Sequence, residues 1–273
     1  MATDGDRPRV GRIALAQTHA GDDVQANLAA ADAFVCAAAD RGSALLAFPE
    51  VFLYVGPREA KLRLAQPLDG PWVTHFREAA ARHGLWILLG SIHERIAGDP
   101  QRVHNTSVLI DAGGNIAGVY RKLRLFDVDL PDLTIRESET ILPGDELPPV
   151  VDTPLGRVGL TICFDLRYPE LYQHLRRQGA ELVFVPSNFT VPTGAAHWEP
   201  LLRARAIENQ FYVAAPAQVG ARSAAAASYG HSALIDPWGV VTAMAPDKPT
   251  LLFGEIDLNH VRHIRRVLPL KNP

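Results

Sequence analysis

The fold of this chain turns on residues 158–186, VGLTICFDLRYPELYQHLRRQGAELVFVP. Val158 to Ile162 is a short apolar run. Pro169 to Gln178 carries proline in what would be its first helical turn and Gly179 just past its end, the usual start and stop signals of a helix. Glu181 to Pro186 is apolar again, so strand, helix and strand follow one another as a βαβ unit. Cys163, one of two cysteines in 273 residues, stands where the first strand gives way to charge and proline.

Outward from this unit the alternation continues. Gly11 to Gln17 reads as a strand, Asp23 to Asp40 as an Ala-rich helix stopped at Arg41-Gly42, and Ala44 to Phe48 as a second strand ending in Pro49-Glu50. Pro71 to His83 predicts a helix closed by Gly84, followed by a strand over Leu85 to Ile92. Thr106 to Ile110 and Ile116 to Tyr120 flank Asp-Ala-Gly-Gly-Asn, a hairpin turn whose second strand delivers Arg121 and Lys122. Asp127 to Leu147 is polar and proline-bearing without clear periodicity, which predicts a long functional loop. Beyond Pro186, a helix over His197 to Gln210 and a strand over Phe211 to Ala217 are expected. A hairpin over Ser232 to Ala243, a strand over Leu251 to Ile256 and a basic terminal helix follow. Short apolar strands alternating with helices predict an α/β fold with covered sheets, and the hairpins make those sheets mixed. The length suits a single domain, with a core over residues 12–257 and a tail over 258–273.

Composition excludes several classes. With 47% hydrophobic and 21% charged residues the chain reads as an ordinary globular protein. A net charge of -3 without a Lys/Arg block lacks the footprint of a nucleic-acid or anionic-membrane binder, and Arg262, Arg265 and Arg266 read as a solvated helix face. The first ten residues, MATDGDRPRV, hold no apolar segment, and a cytoplasmic protein is expected. Two cysteines build neither a disulfide framework nor a cysteine-based zinc site, and no metal is expected. No nucleotide-binding glycine pattern occurs, and no cofactor is implied.

Glu50, Lys122 and Cys163 each stand just after a predicted strand, where ligands of α/β sheets gather. The chemistry needs this trio. A thiol is mostly protonated at neutral pH, so a nucleophilic cysteine requires a base or a neighbouring cation. Glu50 can take the proton, and Lys122 can stabilise the thiolate and then an oxyanion. A desolvated lysine needs compensation in turn, which Glu137 or Glu139 in the following loop can supply.

FPE at 48–50, YRKLRLFD at 120–127 and TICFDLRYPEL at 161–171 resemble, in this order, the three signature regions of the nitrilase superfamily of carbon-nitrogen hydrolases. The likeness runs from about Arg12 to Asp257. It implies an α-β-β-α sandwich, assembled at least as a homodimer, with Glu50 as general base, Lys122 as oxyanion stabiliser and Cys163 as nucleophile. It further implies that Glu137 positions the lysine, that the Phe164 N–H completes the oxyanion hole, and that Asn188 and Phe189 line the pocket. GLWILLGSIHER at 84–95, AHWEPLLRARAIENQ at 196–210 and YGHSALIDPWG at 229–239 resemble the Nit branch, especially the deaminated-glutathione amidases and the related ω-amidases. The chain departs from that branch in ARSAAAASY at 221–229, where alanines replace a more polar loop, and in its short end LPLKNP.

Plainer roles also have candidates. Cys36 lies in an apolar helix and is expected to pack. Arg167 and Glu170 could meet substrate carboxylates, but their spacing favours pairing with each other. His197 and His231 could in principle face Cys163, though the cysteine already has a base. Within the same chemistry the substrate could be 2-oxoglutaramate, an N-carbamoyl compound or a nitrile. An acyltransferase or an inactive binding module is the reading from a different class.

Overall fold

The computed structural model describes residues 10–130, 133–223 and 226–270. In chain order its first half holds β1 (Val10–Gln17), α1 (Val24–Asp40), β2 (Leu45–Ala47), α2 (Arg58–Leu64), α3 (Pro71–His83), β3 (Trp86–Arg95), β4 (Val103–Ile110), β5 (Ile116–Arg121), β6 (Asp127–Leu130) and β7 (Leu133–Arg136). A 3₁₀ turn at Glu137–Glu139 leads to β8 (Val150–Thr153) and β9 (Gly156–Leu160), and a second one, Cys163–Arg167, leads to α4 (Pro169–Arg177) and β10 (Leu182–Phe184). Then come α5 (Val191–Asn209), β11 (Tyr212–Ala215), β12 (Val219–Ser223), β13 (Ala226–Tyr229), β14 (Ala233–Ile235), β15 (Val241–Met244), β16 (Thr250–Asp257) and α6 (Leu258–Val267).

Two six-stranded sheets form, in the orders β16-β1-β2-β3-β4-β5 and β15-β14-β11-β10-β9-β8. The centre of each is parallel, β1-β2-β3 in one and β9-β10-β11 in the other, and the remaining pairs are antiparallel. Alternation along the strands assigns the faces. Ile13, Leu15, Leu45, Ala47 and Leu88 join Val158, Leu160, Leu182 and Phe184 in one core between the sheets. Their neighbours Ala14, Ala16, Leu46, Ile87 and Leu89 point the other way, onto Val35 of α1 and Val73 and Phe76 of α3. Tyr172 and Leu175 of α4 and Trp198 and Leu202 of α5 cover the second sheet. The layers are therefore α-β-β-α, the sandwich that the family resemblance implies.

Helix ends follow local chemistry. Asp23 caps α1 by accepting from the N–H groups of Gln25 and Ala26, and Pro71 opens α3, which stops at Gly84 in the left-handed region. Gly90 has no room for a side chain, because a Cβ there would meet Phe48 O and the Pro186 side chain. That close approach brings the exits of β2 and β10 together.

Several expectations change. The segment after Phe126 is not a featureless loop: β6 and β7 pair antiparallel, Asp127 opposite Arg136, before the 3₁₀ turn. Its apolar residues alternate over only four positions per strand, too few to register as a period. The alanine-rich stretch 221–229 belongs to the ribbon β12–β13, with Ala224 and Ala225 outside the described residues. Helix α5 starts at Val191 instead of His197, with a proline in its first turn and Pro200 inside it. Helix α2 and strand β8 are additional elements.

Cys36 is exposed, since the buried stripe of α1 is Ala31, Val35 and Ala38 and residue 36 falls one step off it. Arg167 and Glu170 do not pair with each other: Glu170 meets Arg124 at 3.3 Å. Of the basic face of α6, Arg262 and Arg266 are exposed, but Arg265 turns inward to the carbonyls of Gln210 and Ala180, and burial lowers its pKa to about 10. The N-terminal stretch 1–9 and the last three residues, over which the leader and tail readings extend, lie outside the described residues. Among the described residues no helix is long and apolar enough to cross a membrane.

Candidate active site

Parallel strands of both sheets point their carboxyl ends at one cavity of about 360 Å³. Glu50 leaves β2 through Phe48-Pro49, Cys163 leaves β9 through Thr161-Ile162, and Asn188 leaves β10 through Val185-Pro186-Ser187. Lys122 follows the last residue of β5. All four line the cavity, together with Glu137 and Phe189.

The Lys122 ammonium, 2% exposed, sits between two carboxylates: Glu50 Oε1 at 2.9 Å and Glu137 Oε2 at 2.8 Å. Burial pushes its pKa down, but the charges of Glu137 and Glu50 outweigh that and hold it well above the ordinary lysine value. The lysine is a fixed cation. Asn105 Nδ2 ties the carboxylates together, donating to Glu50 Oε1 at 2.9 Å and Glu137 Oε1 at 3.3 Å. Two backbone N–H groups complete their shells, Asn188 on Glu50 Oε2 at 2.9 Å and Phe126 on Glu137 Oε2 at 2.6 Å. Glu139, the other carboxylate of that turn, is solvent-facing and meets Arg58 at 3.6 Å. It does not reach the lysine.

Cys163 opens the second 3₁₀ turn with φ 46°, a left-handed conformation that non-glycine residues rarely hold. Its N–H donates to Pro186 O at 3.0 Å, which pins the turn to the exit of β10. The thiol lies within hydrogen-bonding reach of Glu50 and of the Asn188 N–H. Burial, then the Glu50 charge, push its pKa well above the ordinary thiol value, with Lys122 pulling the other way. The resting sulfur is therefore protonated beside a carboxylate.

Phe164 occupies the first turn of the same 3₁₀ segment, where an N–H has no partner within the helix. Its ring lies outside the cavity lining and packs on Phe126 and Tyr168, with the Arg167 guanidinium 5.6 Å from its centre. Phe189 is buried against Trp198 at 4.8 Å and also faces Arg167. His231 instead holds Tyr229 O and Asp247, and His197 meets Arg167; neither lines the cavity.

Two features escaped the sequence reading. Asn105 has a usable signal, since it lies in the polar run His104–Ser107 of β4; its carbonyl accepts from the Lys122 N–H at 2.9 Å across the hairpin. Asp165 is fully buried and braces the site. Its carboxylate accepts from Tyr120 Oη at 2.8 Å, Ile162 N at 2.9 Å and Arg124 N at 3.0 Å. It thereby joins residues two places either side of Lys122 to the turn that carries Cys163. Burial raises its pKa to about 6 against the pull of those donors.

Set beside known proteins, residues 12–266 match the carbon-nitrogen hydrolase family model. The chain is 40% identical over 274 residues to the deaminated glutathione amidase of Homo sapiens, covering 99% of this chain and 84% of that protein. It is 41% identical to the nitrilase and fragile histidine triad fusion protein NitFhit of Caenorhabditis elegans, over 94% of this chain and 59% of the fusion's length. The crystal structure of that fusion superposes with a TM-score of 0.91, covering 95% of this chain and 64% of that one. A mutant of the amidase from Nesterenkonia sp. AN1, solved with the acetamide moiety of fluoroacetamide added covalently at the active-site cysteine, gives a TM-score of 0.79. It is 25% identical over 96% of each chain.

Proposed function

Because this chain belongs to the carbon-nitrogen hydrolase family and shares its nitrilase-type fold, we propose that it cleaves the amide of a small carboxylic acid through a thioester on Cys163, with deaminated glutathione as the substrate type. The observation that carries the reading is the buried Lys122 ammonium held by Glu50 and Glu137 in the cavity that Cys163 lines.

In this mechanism Cys163 Sγ attacks the amide carbon while its proton passes to Glu50. The carbonyl electron pair moves onto oxygen, and Lys122 Nζ and the Phe164 N–H hold the resulting oxyanion. Glu137 keeps the ammonium charged and aimed. The carbon–nitrogen bond then breaks, Glu50 gives its proton to the departing amine, and a thioester remains. Water loses a proton to Glu50 as it attacks the thioester, and that proton returns to sulfur as the acid leaves. One barrier becomes two lower ones. No step draws on a metal or an organic cofactor.

Arg167, which lies outside the cavity lining, is this reading's candidate anchor for a carboxylate on the acyl part. Among the described residues its guanidinium has no carboxylate partner, only His197 Nδ1 at 3.2 Å, and it stands over Phe164 and Phe189 beside the nucleophile. The same reading makes the enzyme a cytoplasmic homodimer. Exposed Ile207, Trp238 and Val240 supply an apolar face for a second copy, with the turn at Gly239 lying against Ile207.

The test compares kcat/KM for deaminated glutathione, 2-oxoglutaramate, an N-carbamoyl amino acid and a simple nitrile, with product analysis in the presence of added amine. Intact mass after a substrate pulse should report an acyl adduct on Cys163. Preference for the nitrile, or transfer of the acyl group to the amine in place of hydrolysis, overturns the reading.

A further inference from the structure

The cavity contains a cation that the reaction at Cys163 leaves unused. Lys61, on α2, lines it together with Tyr54, His93 and Thr140. Its ammonium donates to Thr140 Oγ1 at 2.6 Å, and among the described residues no carboxylate lies within ion-pair distance of it. The other basic side chains of the cavity are compensated, Lys122 by two carboxylates and Arg136 by Asp129 at 2.7 Å. An ammonium has three N–H donors, so two remain for a ligand. Burial pushes the Lys61 pKa down and Arg58 acts in the same direction, while Glu137 offsets only part. His93 beside it stays neutral, its pKa lowered to about 3 by burial and by the charge of Lys61. This wall therefore presents one uncompensated positive charge in a partly dry setting, where a charge-assisted hydrogen bond is strongest.

We propose that Lys61, braced by Thr140, is an anion subsite that takes a carboxylate carried on the leaving amine of the substrate. The inference rests on the amidase reading above and narrows its substrate class. Glu50 hands its proton to the departing amine, and the chain runs directly from Glu50 through Tyr54 into α2. In this proposal the leaving group departs along the wall where Lys61 stands, while Arg167 lies outside the cavity lining, against Phe164 and Phe189. A cation on that wall suits an amide whose amine portion is an amino acid or short peptide with a free carboxyl end. A primary amide that releases ammonia leaves Lys61 unmatched.

The experiment measures kcat/KM of wild type, Lys61→Met and Lys61→Arg on deaminated glutathione and on the same compound with its terminal carboxylate converted to a carboxamide. Wild type should prefer the free carboxylate by roughly tenfold or more, the range of one charge-assisted hydrogen bond. The preference should collapse towards one in Lys61→Met, mainly through KM, and return in part in Lys61→Arg. If Lys61→Met slows both compounds by the same factor, the lysine acts only by holding Thr140 and the turn that carries Glu137, and the proposal is overturned. If wild type cleaves deaminated glutathione without favouring the carboxylate, the subsite alone falls. If wild type cleaves neither compound, the substrate reading falls and takes this inference with it.

Discussion

The two walls of the cavity are built differently. One is framework: Glu50, Lys122 and Cys163 at strand exits, each tied to partners far away in the chain. Glu50 holds Lys122, Asn105 and Asn188, which lie 72, 55 and 138 residues off, and Asp165 holds Tyr120 and Arg124 at 45 and 41. The other wall is added material, α2 and the ribbons β6–β7 and β12–β13. There the β6–β7 contacts are short in sequence and exposed, as in Arg136 on Asp129 seven residues away, while α2 is tied on by Lys61 to Thr140, 79 residues off. Groups fixed by many distant partners keep their geometry through small disturbances, which suits bond-making chemistry. Locally folded ribbons can change without disturbing the sheets, which suits substrate choice.

The largest expected effect is at Cys163, the proposed nucleophile on the framework wall. Cys163→Ala should lower kcat by on the order of 10⁴-fold or more, with the fold retained, because the nucleophile acts as a unit with its base. Wild-type turnover in this variant would remove the thioester mechanism. Lys122→Met should cost roughly 10²- to 10³-fold in kcat. It also removes the cation between Glu50 and Glu137 and leaves Asn105 as the side chain bridging them. A normal kcat would deny the lysine its proposed role on the oxyanion.

The contrast between the walls is also the contrast between what could and could not be read from sequence. Two strand exits are legible because a mostly apolar run gives way to proline and charge or to cysteine, as at Ala47-Phe48-Pro49-Glu50 and Leu160-Thr161-Ile162-Cys163. Nothing local, however, says that Asp165 would be drawn inward, since its three donors come from two separate elements. The ribbons are not legible because strands of four or five residues show too little alternation to stand out from loop. The choice between Glu137 and Glu139 was likewise open in sequence. It closes only when the 3₁₀ turn points residue 137 at Lys122 and residue 139 at Arg58.

Asp165 allows a graded test of the framework. Asp165→Asn cannot accept from all three donors, and leaving one buried donor unmet costs about 1–3 kcal/mol. A matching loss of kcat is expected, as the turn carrying Cys163 loosens against the segment carrying Lys122. The pH dependence has a definite sign. The native carboxyl binds its proton more tightly than the unfolded one, about 6 against an ordinary 3.8, so this group makes the folded state less stable as pH rises through that window. The difference of about two pKa units corresponds to roughly 3 kcal/mol at most. The stability advantage of wild type over Asp165→Asn, from urea unfolding, should therefore be larger at pH 4 than at pH 7. An advantage that grows with pH would mean that the three donors overcome burial and keep the carboxylate charged.

The smallest effect should come from the added wall, and it decides whether the comparison holds. Arg136 grips both oxygens of Asp129 and the carbonyls of Val128 and Ile135, so Arg136→Gln loosens one end of the β6–β7 ribbon. Both partners are solvent-facing, and exposed ion pairs contribute little. The expected shift in Tm is below about 2 °C. Because the arginine also lines the cavity, a change in KM is expected, while kcat should stay far closer to wild type than in Asp165→Asn. The ribbon leads directly into Glu137, so this is a demanding test. If Arg136→Gln lowers kcat as much as Asp165→Asn does, the ribbon is holding the Glu137–Lys122 pair in place and belongs to the framework. If KM moves alone, the carboxylate shell of Lys122, with the Phe126 N–H and Asn105 on Glu137, is sufficient by itself, and the ribbon is free to serve the substrate.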